Sequence, residues 1–380
     1  MPKVRETRIV FAGGGSGGHV YPLIAVAESL HRYATQRGFL LGLHYIGPAS
    51  AYQGLFEQNE VAFHPLAEAK FRRYASFANL LDIPKFFVSV LQAIGKLYVV
   101  MPDVILSKGG PGALPVVLAG WWYRIPIVIH ESDAIPGLAN TISAKFARRI
   151  AVSFTEASQH FPASKTFIVG GLIRQSLYEK DIPEREAKEK LGFDPDRPLL
   201  LVLGGSLGSK RINDFIISHL LAILPHVQVM HQTGIQNYDE MKRAAETLAA
   251  PDDRGKTPYH PVPYLTEEYA TALSAADCIL SRAGSGTIFE AMSFGKPAIL
   301  IPLPGSANNH QHANAKILHA QGAARIIEET NLTPSIFIGE LNAVMTQSTQ
   351  EHMRAAAVKM GGRSGAMELA KELLACAGLQ

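Results

Sequence analysis

Short apolar runs alternate along the chain with amphipathic stretches of helical length, and glycine clusters fall between them. Arg8–Ala12, Gly42–Ile46, Val104–Leu106, Pro126–Ile129, Arg149–Ser153 and Thr166–Val169 read as strands. Their lack of polar alternation predicts strands covered on both faces, the habit of a parallel sheet. Helices are expected from Pro22 to Tyr33 and onward from Leu138. The pattern then restarts, with strands at Leu199–Leu203, Val227–His231, Tyr259–Pro263, Cys278–Leu280 and Ala298–Ile301. Helices at Glu184–Leu191, Glu267–Ala275 and from His310 separate them, and one more lies between the Cys278 and Ala298 runs. Strand, glycine loop and helix thus begin twice, at Gly13 and at Gly204. The expectation is α/β, with two Rossmann-like doubly wound domains facing a cleft. The boundaries are placed at 1–171 and 172–363. The final stretch reads as helices around a Gly361-Gly362 break, with residues 364–380 packing back on the first domain.

Composition narrows the class. A chain of 380 residues, 47% hydrophobic, can bury two cores. Its formal charge of +3 gives no basis for nucleic-acid binding. Two cysteines, Cys278 and Cys376, argue against a disulfide framework. No hydrophobic region of signal-peptide length precedes the first glycines. No window reaches spanning length: Phe86–Val100 is broken by Gln92 and Lys96, and Ala113–Ile129 by Pro115, Arg124 and Pro126. The expected location is cytoplasmic.

The glycine loops carry the candidate chemistry. A glycine loop that opens a helix presents unpaired N–H groups at the positive end of the helix dipole, where phosphate binds. Gly13-x-Gly15-x-x-Gly18 has the dinucleotide spacing, but the next strand ends in Gly47-Pro48 without the acid that ribose recognition requires. Gly204-Gly205-Ser206-Leu207-Gly208 lacks the Gly-Lys-Ser/Thr of a nucleotide hydrolase. Lys108-Gly109-Gly110 ends another strand of the first set. Glu290 follows Gly284-Ser285-Gly286-Thr287 and is placed in the first helical turn. It could bind a ribose, or close a Thr287-x-x-Glu290 capping box with no ligand at all. His130-Glu131-Ser132-Asp133 ends a strand, where side chains enter the ligand crevice of such sheets. His130 and Glu131 could equally be a bonded pair that fixes the loop. His310 and His312 stand two apart, which disfavours a shared metal on a helix. Asp194-x-Asp196 reads as a turn. Phe71, Tyr74, Phe77, Leu80 and Phe87, interleaved with Arg72, Arg73 and Lys85, form either amphipathic helices on the sheet or an apolar patch with basic edges for an anionic membrane.

Taken in order, Gly14–Pro22, His130-Glu131, Gly137–Asn140, Gly204–Gly208, His231–Gly234, Arg282–Glu290 and Gln311-x-x-Asn314 resemble the MurG family. That family transfers N-acetylglucosamine within peptidoglycan synthesis. The resemblance implies a two-domain GT-B fold. The donor would be UDP-N-acetylglucosamine, and the acceptor the C4 hydroxyl of a polyprenyl-diphosphate-linked muramoyl peptide at the cytoplasmic membrane face. It implies donor contacts from Ser16, Gly17, Gly18, Asp133, Asn140, Arg174, Ser206, Thr266, Ser285, Gly286, Thr287, Glu290, Gln311 and Asn314. Gly14, Gly15, Gly109 and Gly110 would meet the acceptor diphosphate. The family inverts in one step. His19 is the expected general base, with Glu131 in reserve, and no tightly held metal or cofactor is expected. The sequence departs from the family pattern at Ser132-Asp133 and Gly171-Leu172, and His310 and His312 flank Gln311. Other readings of the same fold are a UDP-sugar transferase acting on another lipid or natural product, and a non-hydrolysing UDP-N-acetylglucosamine epimerase.

Overall fold

The computed structural model describes residues 6–49, 51–67, 77–205, 208–249, 257–362 and 364–379, with backbone only for 77–83. Ser206, Phe71, Arg72, Arg73 and Tyr74 lie outside the described residues, as do the side chains of Phe77 and Leu80. The chain divides into two compact units. One comprises Met1–Gln175 with Ser364–Gln380, and the other Ser176–Arg363.

The first unit is built on a parallel sheet of β1 (Thr7–Ala12), β2 (Leu41–Pro48), β3 (Val61–Leu66), β4 (Val104–Ser107), β5 (Ile127–Glu131), β6 (Arg149–Val152) and β7 (Thr166–Ile168). Their order is β3-β2-β1-β4-β5-β6-β7. The chain therefore moves outward from β1 in one direction, then returns to start β4 on its other side. That reversal leaves a crevice beyond the carboxyl ends of β1 and β4. Ile9, Val10, Phe11 and Ala12 are fully buried, as the absence of polar alternation in β1 requires.

The first helix, Gly17–Arg37, starts earlier than expected and contains Pro22. Proline suits the first helical position, which is why the sequence suggests a start there. Instead the glycine loop itself turns into the helix, with Ser16 extended before it. Helix Ala366–Cys376 packs against Gly17–Arg37 and β4. Its Leu369, Ala370, Leu373 and Leu374 join Leu23, Val26 and Leu30 in one core. Ser364 Oγ fastens the returning chain, accepting from Ile173 N at 3.0 Å and donating to Ile173 O at 2.7 Å.

The second unit repeats the plan with β8 (Leu199–Leu203), β9 (Gln228–Gln232), β10 (Tyr259–Val262), β11 (Cys278–Ser281), β12 (Ala298–Leu300) and β13 (Ala324–Ile326). These strands are parallel, in the order β10-β9-β8-β11-β12-β13. The reversal here lies between β8 and β11. Asp277, at the start of β11, holds the opposite edge: its Oδ2 accepts from Leu199 N and pairs with the buried Lys188 at 2.7 Å.

Two strands escape the apolar pattern. β3 carries His64 and Pro65, and β13 is Ala-Arg-Ile. Both are edge strands, where a missing N–H faces no further strand and polar side chains are tolerated; His64 Nε2 lies 3.2 Å from His44 Nδ1.

Candidate active site

In the second unit, the loops after β8, β9, β10 and β11 share one edge, and buried polar side chains set their shapes. Gly208 has φ +76°, and a Cβ there would lie 2.1 Å from Thr233 O, so only glycine lets the β8 loop rest on the β9 loop. Thr233 is held in turn: its N donates to Val262 O at 2.9 Å, and its carbonyl accepts from Asn213 Nδ2 at 2.8 Å. Asn213 Oδ1 bonds His231 Nε2 at 3.0 Å, and His231 Nδ1 bonds the Tyr259 hydroxyl at 2.9 Å. Burial pushes His231 down to about 3, so it is a neutral strut near pH 7. Gln232 ties two further loops. Its Nε2 donates to Gly205 O at 3.0 Å and its Oε1 accepts from Leu265 N at 3.1 Å. Thr266, next along, is exposed.

The β11 loop is braced from behind. Asn314 is fully buried and donates to Ala283 O at 3.1 Å. Arg282 donates to Ser209 Oγ and Ile301 O at 3.2 Å each, and pairs with Glu329. Helix Ser285–Ser293 follows, with Gly284 extended at its N-cap and no side-chain cap. The amides of Ser285, Gly286 and Thr287 are thus first-turn donors without helical acceptors, aimed where an anion would sit. Because the helix begins at Ser285, Glu290 lies in the second turn rather than the first, and Thr287-x-x-Glu290 is not a capping box. Glu290 Oε2 accepts from the Tyr269 hydroxyl at 2.7 Å, which fixes the carboxylate's orientation. Gln311 Oε1 accepts from Leu303 N at 2.9 Å.

In the first unit, the loops after β1 and β4 flank the reversal. The His19 imidazole is wedged between them. A Cβ on Gly14 would lie 2.9 Å from His19 Nδ1, and one on Gly110 3.1 Å from Nε2. Ser16 Oγ is 2.8 Å from Nδ1. Burial, and next the positive charge of Lys108, lower the His19 pKa to about 4, with Asp133 opposing. The ring is therefore neutral near pH 7 and able to accept a proton.

Glu131 is otherwise engaged. Its carboxylate accepts from Asp133 N at 3.0 Å, Gly137 N at 3.1 Å and Asn140 Nδ2 at 2.9 Å. It fixes its own loop. His130 does not pair with it but bonds Ser153 Oγ at 3.0 Å. Asn140 is buried beneath Gly109 and also holds His130 O. Neither Asn140 nor Asn314 presents its side chain at the surface. Gly15, Ser16 and Gly18 are exposed, Gly17 is buried, and Asp133 is half-buried. The Arg174 guanidinium lies over the Tyr21 ring at 4.6 Å.

Sequence reasoning did not single out Lys108, Gln232 or Tyr269. Lys108 directly follows a buried strand and Gln232 ends one, much the same signal that drew attention to His130 and Glu131. Tyr269 faces Glu290 only through the fold.

The chain matches the glycosyltransferase family 28 N-terminal domain over residues 9–152 and its C-terminal domain over 199–373. It is 34% identical over 336 residues, 87% of this chain and 89% of the relative, to a Bacillus anthracis UDP-N-acetylglucosamine--N-acetylmuramyl-(pentapeptide) pyrophosphoryl-undecaprenol N-acetylglucosamine transferase 2. A Treponema pallidum (strain Nichols) transferase of the corresponding name is 33% identical over 96% of this chain and 94% of its own. Among solved structures, Acinetobacter baumannii MurG superposes with a TM-score of 0.72 at 24% identity, covering 97% of this chain and 99% of that one. These matches span both units, and the chain belongs to the MurG family of glycosyltransferase family 28.

Proposed function

We infer that this chain transfers N-acetylglucosamine from UDP-N-acetylglucosamine to the muramyl-pentapeptide carried on pyrophosphoryl-undecaprenol, a step of peptidoglycan synthesis. The observation that carries the reading is the 33% identity over 96% of the chain to a curated transferase of that name. The local geometry supports it. First-turn amides at 285–287 suit the leaving diphosphate, and the oriented Glu290 suits the ribose. The turn at Thr266 offers backbone to the uracil. In the reaction the acceptor C4 oxygen bonds to the sugar C1, the C1–O bond to diphosphate breaks, and configuration inverts. The hydroxyl proton passes to His19, for which the neutral imidazole between two glycine loops is suited. Glu131, saturated by three donors, is left out of proton transfer. Charge on the leaving group falls on amides and a helix dipole, without a tightly held metal.

The second part of the reading is peripheral attachment to an anionic cytoplasmic membrane face. No helix among the described residues is long and apolar enough to cross a membrane. Helix Phe77–Val100 buries Ser89, Ala93 and Leu97 against its unit but leaves Phe87, Leu91 and Val99 out, at 62%, 69% and 79% exposure. It packs beside helix Leu114–Trp122, whose Trp121 and Trp122 are also exposed. Exposed aromatics with Lys85 at hand suit a headgroup layer.

Radiolabelled UDP-N-acetylglucosamine incubated with the lipid acceptor should give labelled disaccharide lipid. Release of free epimer from the donor alone, without transfer, would refute the reading. For the membrane part, replacing Phe87 and Leu91 by Ser should reduce co-sedimentation with anionic vesicles while turnover of a short-chain acceptor persists. Unchanged sedimentation would refute attachment through this face.

A further inference from the structure

Lys108 is an unexpected residue for its place. It directly follows β4 with only 3% of its surface exposed, and an ammonium is costly to bury. Its Nζ donates to Ser132 Oγ at 2.9 Å. Its backbone N donates to Ala12 O at 2.7 Å, which pins the residue beside the β1 loop. A Cβ built on Gly13 would lie 3.6 Å from Lys108 Cβ and 3.7 Å from His19 Cβ. The two side chains therefore leave the backbone beside the same face of one glycine. Packing alone gives no reason for a cation here, since an apolar side chain of similar length would fill the space.

We propose that Lys108 is a positioning residue for the transfer reaction, its ammonium, reaching Ser132 from beside Gly13, keeping His19 in the neutral form that accepts the hydroxyl proton. The proposal rests on His19 being the base. The charged groups facing His19 are Lys108 from the loop after β4 and Asp133 from the loop after β5; Ser16, on its own loop, is neutral. Glu131 and Asp133 both favour the Lys108 ammonium, against the burial that disfavours it. The chemistry explains the need. Both substrates carry a diphosphate, and negative charge beside an imidazole favours its protonated form, which is useless as a base. A buried cation beside the imidazole offsets that pull.

The test follows the His19 imidazole by NMR in the full-length protein, assigned with His19→Gln, alongside the pH profile of kcat/KM. In Lys108→Met the His19 midpoint should rise by about one pH unit or more, and the acid limb of kcat/KM should rise with it. Lys108→Arg, which keeps the charge, should leave both near wild type. Asp133→Asn removes the opposing charge at a half-buried position and should move the midpoint the other way, which keeps the test open if Lys108→Met does not fold. An unmoved midpoint in folded Lys108→Met, or in Asp133→Asn, overturns the proposal. A midpoint that moves while the acid limb stays put overturns instead the assignment of His19 as the base.

Discussion

The wedge around His19 can be perturbed from two sides with different consequences. Gly14→Ala introduces a Cβ 2.9 Å from His19 Nδ1, at a residue whose φ is not positive. Gly110→Ala introduces one 3.1 Å from Nε2, at a residue with φ +83°. Both contacts are closer than ordinary packing, so in each variant the ring or the loop must shift by several tenths of an ångström. Misplacing a reacting group by a fraction of an ångström to one ångström costs up to about 100-fold in rate. Both variants should therefore lose about 10- to 100-fold in kcat; the donor contacts assigned to the second unit are untouched, so any rise in KM for UDP-N-acetylglucosamine would report the contacts expected from Ser16, Gly17 and Gly18. Stability should separate them. Alanine at positive φ adds about 1–2 kcal/mol of backbone strain, which lowers Tm by about 2–8 °C for a unit of this size. Gly14→Ala adds no such strain. Steady-state kinetics with the lipid acceptor and a thermal melt read both quantities. Wild-type kcat in Gly14→Ala would refute the wedge as the device that sets the base.

Other consequences can be checked singly. Asn314→Ala leaves Ala283 O without its buried donor; about 1–3 kcal/mol of stability should be lost, and a raised donor KM should accompany it. Calorimetric binding of UDP-N-acetylglucosamine should survive exhaustive chelation, and its loss would count against amides as the main diphosphate ligands. His231 is held neutral with a pKa of about 3, below its unfolded value of 6.5. The unfolded chain therefore binds the extra proton first, and stability contributed by this residue is intact above pH 6.5 and lost as pH falls toward 3. Melting of the second unit, followed through pH 7 to 4, should show Tm falling, and His231→Gln should flatten that slope.

The frame of both units was legible because buried parallel strands carry no polar alternation, and because glycine stands where a loop must turn into a helix. β1, β8 and β11 announce themselves in this way. β3 and β13 do not, since edge strands tolerate His64, Pro65 and Arg325. The start of helix Gly17–Arg37 was hidden by Pro22, whose local preference yields to the glycine loop that the sheet positions. The capping-box reading of Thr287 and Glu290 failed for a related reason: the helix begins at Ser285, with three residues between it and β11, not where the side chains would cap it best. Glu131 looked like a candidate base because it ends a strand. Which strand-end carboxylate is saturated by its own loop depends on Gly137 and Asn140 folding back, and no spacing reveals that. Lys108 and Gln232 stand in stretches the sequence marks, Lys108-Gly109-Gly110 and His231–Gly234, but their spacing assigns neither a role.

Helix Ala366–Cys376 closes the core of the unit whose first strand is Thr7–Ala12. During synthesis, the groove beside Leu23, Val26 and Leu30 stays open until that late helix leaves the ribosome, after all of β8–β13 has emerged. The half of the molecule translated first is thus the half completed last. A chain truncated before residue 366 and released from the ribosome would hold a finished second unit and an unsealed first one.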